Sequence, residues 1–155
     1  MIDDLPPASE AELDRLEAAV DGWLRAFQAE HEVVAAIDRG EPGERRWYVR
    51  MVGEEKDFTT VWLTLKQRAL HVETYVMPAP EENHAAFYEH LLRRNRQTRM
   101  LWFAIGEEDA VFLVGQVPLV LLDEPTIDRI LGSMYLYVEQ FFRPALRIGF
   151  ASRFK

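Results

Sequence analysis

The run FTTVWLTLKQRALHVETYVM, Phe58 to Met77, decides the fold. In its first half Val61, Leu63 and Leu65 are apolar while Thr60, Trp62, Thr64 and Lys66 alternate with them, the period of a strand with one buried face. In its second half Leu70, Val72 and Val76 share one face and His71, Glu73, Tyr75 and Met77 the other. Only the KQR turn separates the two halves, and so short a connection makes them antiparallel neighbours. Upstream, across the loop GEEKD, RRWYVRMV supplies a third strand.

A second hairpin follows downstream, RMLWFAIG and AVFLVGQV about the turn EED, with Leu101, Phe103 and Ile105 opposed to Met100, Trp102 and Ala104. Helices flank these strands. Ser9 and Glu12 have capping-box spacing, and Leu13, Leu16, Val20, Trp23, Leu24 and Phe27 continue as one stripe, predicting a helix from about Ser9 to about Gln28. Pro78 and Pro80 end the strand ALHVETYVM. Glu81 and Glu82 suit the positive end of a second helix, to about Arg94, whose stripe is His84, Phe87, Tyr88, Leu91 and Leu92. A last helix starts near Asp123 with Pro125 in its first turn. Its apolar arc covers roughly 160°, leaving Leu136 alone among Asp128, Arg129, Gly132, Ser133, Glu139 and Gln140. Pro144 is expected to end or bend it. In the segment 29–44, Val33 to Ile37 fits a short strand or a helix continuation equally.

The order α-β-β-β-α-β-β-α predicts an α+β two-layer sandwich, an antiparallel sheet with helices on one face. The 155 residues, 48% apolar and 28% charged, fit a single domain spanning the chain. Absence of cysteine excludes disulfides, thiolate nucleophiles and iron–sulfur ligation. A net charge of −8 opposes binding to nucleic acid. The opening MIDDLPPASE lacks the build of a secretory signal, so the cytoplasm is the expected location, with no membrane partner. Eight acids in residues 1–30 face Arg143, Arg147, Arg153 and Lys155 at the other end, and the two ends are expected to attract, within one chain or between two.

Sites for chemistry are weak. Glu81 and His84 make one Glu-x-x-His pair where a di-metal bundle needs two, and His84 and His90 do not share a helix face. His84 reads instead as a core or half-buried histidine. Ser9, Ser133 and Ser152 lack a nucleophile elbow, GEPGE lacks the lysine of a phosphate loop, and GEEKD and GEED read as solvated hairpin tips. Arg93, Arg94, Arg96 and Arg99 suit a helix C-terminus. No catalytic residue, metal or cofactor is expected. What folding explains least is the face opposite the helices, which carries Trp62, Tyr75, Met77, Met100 and Trp102. Together with Leu136 these form the candidate partner surface, since aromatics and Met are enriched at interface cores. Two other readings compete with it. One has the 29–44 segment or the tail covering that face; the other is an RNA-binding sheet, against which Glu73 and the sparse Lys and Arg count.

The stretches RRWYVRMVGEEKDFTTVWLTLKQRALHVETYVMPAPEENHAAFYEHLLRRN, FAIGEEDAVFLVGQVPL and DRILGSMYLYVEQFFRPALRIGF resemble the actinobacterial branch of the YbjN-like proteins, a family described as bacterial sensory transduction regulators. The resemblance covers roughly Arg45 to Phe150. It implies a fold similar to type III secretion chaperones, one that dimerises and binds other proteins, and it carries no catalytic residue. The resulting expectation is a non-enzymatic protein-interaction or regulatory module, homodimeric, with an unidentified protein partner. The alternative is a small-molecule-binding domain using the sheet face or a sheet-helix crevice.

Overall fold

The structure, a computed structural model, describes residues 2–154. Its main elements are α1 (Glu10–Glu30), β1 (Val34–Arg39), β2 (Arg46–Val52), β3 (Phe58–Leu65), β4 (Ala69–Met77), α2 (His84–Asn95), β5 (Leu101–Ile105), β6 (Val111–Pro118) and α3 (Glu124–Gly149). The strands form one antiparallel sheet in the order β1-β2-β3-β4-β6-β5. All three helices lie against one face. The α+β sandwich predicted from alternation is therefore the one observed, with one strand more than the sequence decided.

That extra strand settles the ambiguous segment. Val34 to Arg39 pairs with β2 at the sheet edge, with an irregularity between Val34 and Ala36, and so it extends the sheet instead of covering it. The sealed face consists of the apolar phases of the strands: Trp47, Val49 and Met51; Val61, Leu63 and Leu65; Leu70, Val72 and Val76; Val111, Leu113 and Val117; Leu101 and Phe103. Against it α1 buries Leu13, Leu16, Val20, Leu24 and Phe27, and α3 buries Ile127, Ile130, Leu131, Met134, Val138 and Phe141. The Trp47 indole, fully buried, donates to Asp21 Oδ1 at 3.2 Å, satisfying its one polar atom.

Helix starts follow the sequence signals only in part. Ser9 Oγ accepts the Glu12 N–H at 3.2 Å and Asp123 Oδ1 accepts that of Thr126 at 2.9 Å. The second helix, however, begins at His84 after Asn83 in left-handed backbone (φ 53°), later than expected. His84 therefore sits in an exposed first turn, and only Phe87 and Leu91 of the predicted stripe are buried. Glu81 and Glu82 lie outside the helix and hold the chain end instead. Glu82 Oε2 accepts from the Ser152 hydroxyl at 2.8 Å, and Glu81 pairs with Arg153. Pro144 neither ends nor visibly breaks α3, which continues to Gly149. Proline removes one helical hydrogen bond there, but Phe141, Ala145 and Phe150 around it are buried, which outweighs one lost bond.

Among the described residues no salt bridge joins Arg143 or Arg153 to the acids of α1. Arg45 gathers Glu10, Asp14 and Glu17 at 3.0, 2.7 and 3.1 Å, and Arg39 takes Glu17 at 3.0 Å. At the other end Arg143 pairs with Glu55 and Arg153 with Glu81, within the chain; Lys155 lies outside the described residues. The GEEKD tip is not simply solvated either. Glu139 of α3 accepts the backbone N–H groups of Glu54 and Glu55 at 2.8 and 2.7 Å, anchoring the β2–β3 loop to the helical layer.

Two leucines one turn and a half apart on α3 separate the layers. Leu131→Ala, which empties a fully buried site, is expected to cost about 2–5 kcal/mol in chemical denaturation. Leu136→Ala, on the exposed side of the same helix, is expected to stay within about 0.5 kcal/mol. Equal losses for the two would contradict the layering.

Candidate functional site

The sheet's other face is built from the alternate phase of the same strands, and the register aligns its side chains in cross-sheet rows. In the central row Tyr48 pairs with Trp62, Trp62 with Glu73, Glu73 with Val114 and Val114 with Trp102. On one side runs a polar row, Arg46, Thr64, His71 and Gln116. On the other, Tyr75 pairs with Phe112, which pairs with Ala104. Tyr48 and Trp62 meet edge-on at 6.4 Å, Tyr75 and Phe112 at 5.7 Å, and Arg50 stacks over Phe58 at 3.8 Å. These contacts hold the aromatics to one another; Tyr48, Trp62 and Phe112 are half-buried, Lys56 lies over the Tyr75 ring at 5.9 Å, and Trp102 is 42% exposed. Among the described residues neither β1 nor the C-terminal segment lies over them.

Of the six expected contact residues, Trp62, Tyr75 and Trp102 come together on this face. Met100 stands at its end, exposed, in left-handed backbone (φ 63°) that brings its carbonyl against β6. A Cβ at Gly115 would lie 2.5 Å from that oxygen, so glycine is required there. Met77 is a correction. The ladder shifts between Tyr75 and Met77, which turns Met77 into the core opposite Val111 at 1% exposure. Leu136 is exposed but on α3, away from the sheet face, so it belongs to a separate surface. Tyr48, Phe58 and Phe112 complete the face; their phase in RRWYVRMV, FTTVWLTLK and AVFLVGQV was the signal for them.

A depression of about 250 Å³ lies between Trp62 and Trp102, with Glu73, His71 and Gln116 in its floor and Arg46 and Lys66 at its end. Arg46 donates to Thr64 Oγ1 at 3.1 Å, and neither it nor Lys66 forms an ion pair with a carboxylate among the described residues. A hydrogen bond with Tyr48 is the main cause raising the Arg46 pKa, opposed by burial and assisted by the Glu44 and Glu73 carboxylates. Burial, then the nearby Lys66 ammonium, lowers that of His71. Among the described residues no three metal-ligating side chains converge, and no helix is long and apolar enough to cross a membrane.

Both sheet edges are guarded. At β5 the Asn95 side chain occupies both backbone groups of Phe103, accepting its N–H at 2.7 Å and donating to its carbonyl at 3.2 Å. At β1 the irregular register and the charged Asp38 and Arg39 interrupt a regular ladder. Beside the β5 edge, Tyr88, Leu91, Leu92, Phe103 and Ile105 line an apolar groove of about 280 Å³ in which Leu92 is 69% and Ile105 55% exposed.

A sequence profile of YbjN, described as "Putative bacterial sensory transduction regulator", matches residues 14–147. The chain belongs to the YbjN family. An uncharacterized Mycobacterium leprae protein is 33% identical to this YbjN-family chain over 127 residues, 82% of the chain and 69% of the relative. Uncharacterized proteins of Mycobacterium bovis and Mycobacterium tuberculosis are 33% identical over 104 residues. The chain spans 57% of the length of those two. Among solved structures, the HopA1-SchA chaperone-effector complex contains a chain similar in fold, with TM-score 0.56, 12% identity, and coverage of 84% of this chain and 97% of the other. The ExsC-ExsE complex contains another, with TM-score 0.54, 20% identity, and coverage of 83% and 94%. The chaperone-like fold implied by the sequence resemblance is thus the fold of the YbjN-family chain.

Because folding lowers the pKa of His71 from 6.5, and that of His90 likewise through burial and Arg94, the unfolded chain takes up protons first as pH falls. The stability that depends on keeping these rings neutral is complete above about pH 6.5 and is lost as pH falls through the depressed folded values. His71→Gln is expected to flatten the loss of stability between about pH 7 and pH 5 in urea titrations. An unchanged pH slope would contradict this placement of His71.

Proposed function

We propose that the chain acts as one domain, a non-enzymatic cytoplasmic protein-interaction module whose open sheet face receives a protein partner. The carrying observation is that a six-stranded sheet has one face sealed by helices and the other lined by Trp62, Trp102, Tyr75 and Phe112, with no helix or strand of the described residues laid over them. Membership of a family described as a transduction regulator supports the reading, as does a fold shared with a chain of a chaperone-effector complex. The partner is protein and not nucleic acid, because the net charge is −8 and Glu73 sits among the aromatics.

A homodimer fits this reading on a different surface from the one expected. The groove between α2 and β5 exposes Leu92 and Ile105 side by side, away from the open sheet face, and a second copy covering it leaves that face free.

Two variants separate the surfaces. Trp62→Ser/Trp102→Ser is expected to keep its far-ultraviolet dichroism and its oligomeric mass in light scattering. In cross-linking from native lysate it should lose the proteins that the wild-type chain captures. Leu92→Glu/Ile105→Glu is expected to reduce the mass to that of the monomer and retain the captured proteins. The docking reading fails if both Trp variant and wild type capture the same set, and the dimer reading fails if the Leu92/Ile105 variant keeps the wild-type mass.

A further inference from the structure

The open face is a trough, and its dimensions restrict what fills it. Trp62 on β3 and Trp102 on β5 stand in one cross-sheet row with Glu73 and Val114 between them. The two indoles therefore rise from strands three spacings apart, roughly 14 Å at about 4.8 Å per strand. A single planar ring clasped between two indoles needs only about 7 Å, two contacts of roughly 3.5 Å each. An added strand needs a free edge, and Asn95 occupies the middle of β5 while the irregular, charged β1 interrupts the other. An α-helix with its side chains is about 10–12 Å across, which matches the span between the walls.

The trough is also polarised along its length. One end is closed by the Tyr75–Phe112 edge-on pair and Val114 forms an apolar middle. The other end carries Arg46 and Lys66 without ion pairs, beside His71 and Gln116. Arg46 feels Glu44 and Glu73 without a salt bridge to either, and with Lys66 it gives this end of the trough a positive charge that an acidic group from outside can meet. A second copy on this face is the other occupant to exclude: loss of oligomeric mass in Trp62→Ser/Trp102→Ser would make the occupant a second copy and overturn the helix.

We infer that the trough takes one amphipathic α-helix of a partner protein, lying along β4 and β6 with its apolar stripe over Val114 between Trp62 and Trp102 and its acidic side chains over Arg46 and Lys66. Glu73, in the floor beside Trp62, confines the partner's acids to that end. This rests on the open face being the partner-docking surface.

The test uses two displayed peptide libraries of equal length, one fixed in a helical-hairpin scaffold with its outward positions randomised, the other unconstrained. Both are selected on the wild-type chain and counter-selected on Trp62→Ser/Trp102→Ser. The helical library is expected to supply the tryptophan-dependent binders, with Asp or Glu enriched at one end of the presented face. Arg46→Glu/Lys66→Glu is expected to weaken them by about tenfold or more and to select helices with Lys or Arg at the same positions. The helix is overturned if the unconstrained library alone supplies such binders, if the enriched helices are basic on the wild type, if charge reversal leaves their affinity unchanged, or if neither library yields any. In that last case the lysate capture decides how far the failure reaches. Capture that still depends on the tryptophans removes only the helix, whereas capture that ignores them removes the docking face as well.

Discussion

One layer of helices must seal one face of a six-stranded sheet, and everything else follows from the fact that there is only one such layer. The stripe of α3 lies across the middle of the sheet, with Ile130, Leu131, Met134 and Val138 wholly buried among Val61, Leu63 and Val72. Each such side chain removed from water contributes about 1.5–3 kcal/mol, and the strict alternation of the strands directs that gain to a single side. A one-residue slip in β3 would exchange Leu63 for Trp62 in the core, so the same contacts that stabilise the sandwich also fix which aromatics are left outside.

Charge reinforces this division. On the helical side the acids of α1 are gathered by Arg39 and Arg45, Glu139 anchors the β2–β3 loop, and Glu81 and Glu82 hold the chain's last turn. On the sheet side Arg46 and Lys66 have no such partners among the described residues. Exposed pairs of this kind contribute little stability each, but they consume charge, and Arg46 and Lys66 beside the tryptophans are among the cations they leave without a salt bridge. The guarded edges act in the same direction. With Asn95 occupying Phe103 and β1 irregular, association by strand addition is hindered at both ends of the sheet, which leaves the aromatic face and the α2–β5 groove for contact.

Much of this was legible in the sequence, because period-2 alternation and helical stripes report burial directly. Trp62 and Trp102 fall in the polar phase of their strands, and the structure finds them there. Illegible were features set by a single residue's backbone or by contacts distant in sequence. The Ala-rich run from Val33 to Ile37 has too little contrast for either period, so β1 appeared only once β2 offered an edge. A register shift after Tyr75 reverses Met77, and no local pattern announces it. Asn83 delays α2, which leaves His84 outside the core. Glu81, Glu82 and Glu139 looked like helix-end or surface acids because their partners, Arg153, Ser152 and the backbone of Glu54 and Glu55, are brought to them only by the fold.

The most direct measurement of the central claim, that only one side of the sheet is sealed, is hydroxyl-radical footprinting of the purified chain read by mass spectrometry. The account predicts rapid oxidation of Trp102, Tyr75 and Trp62, with Trp47 on the sealed side of the adjoining strand β2 protected until the chain unfolds. Protection of Trp62 and Trp102 equal to that of Trp47 in the folded chain would contradict it.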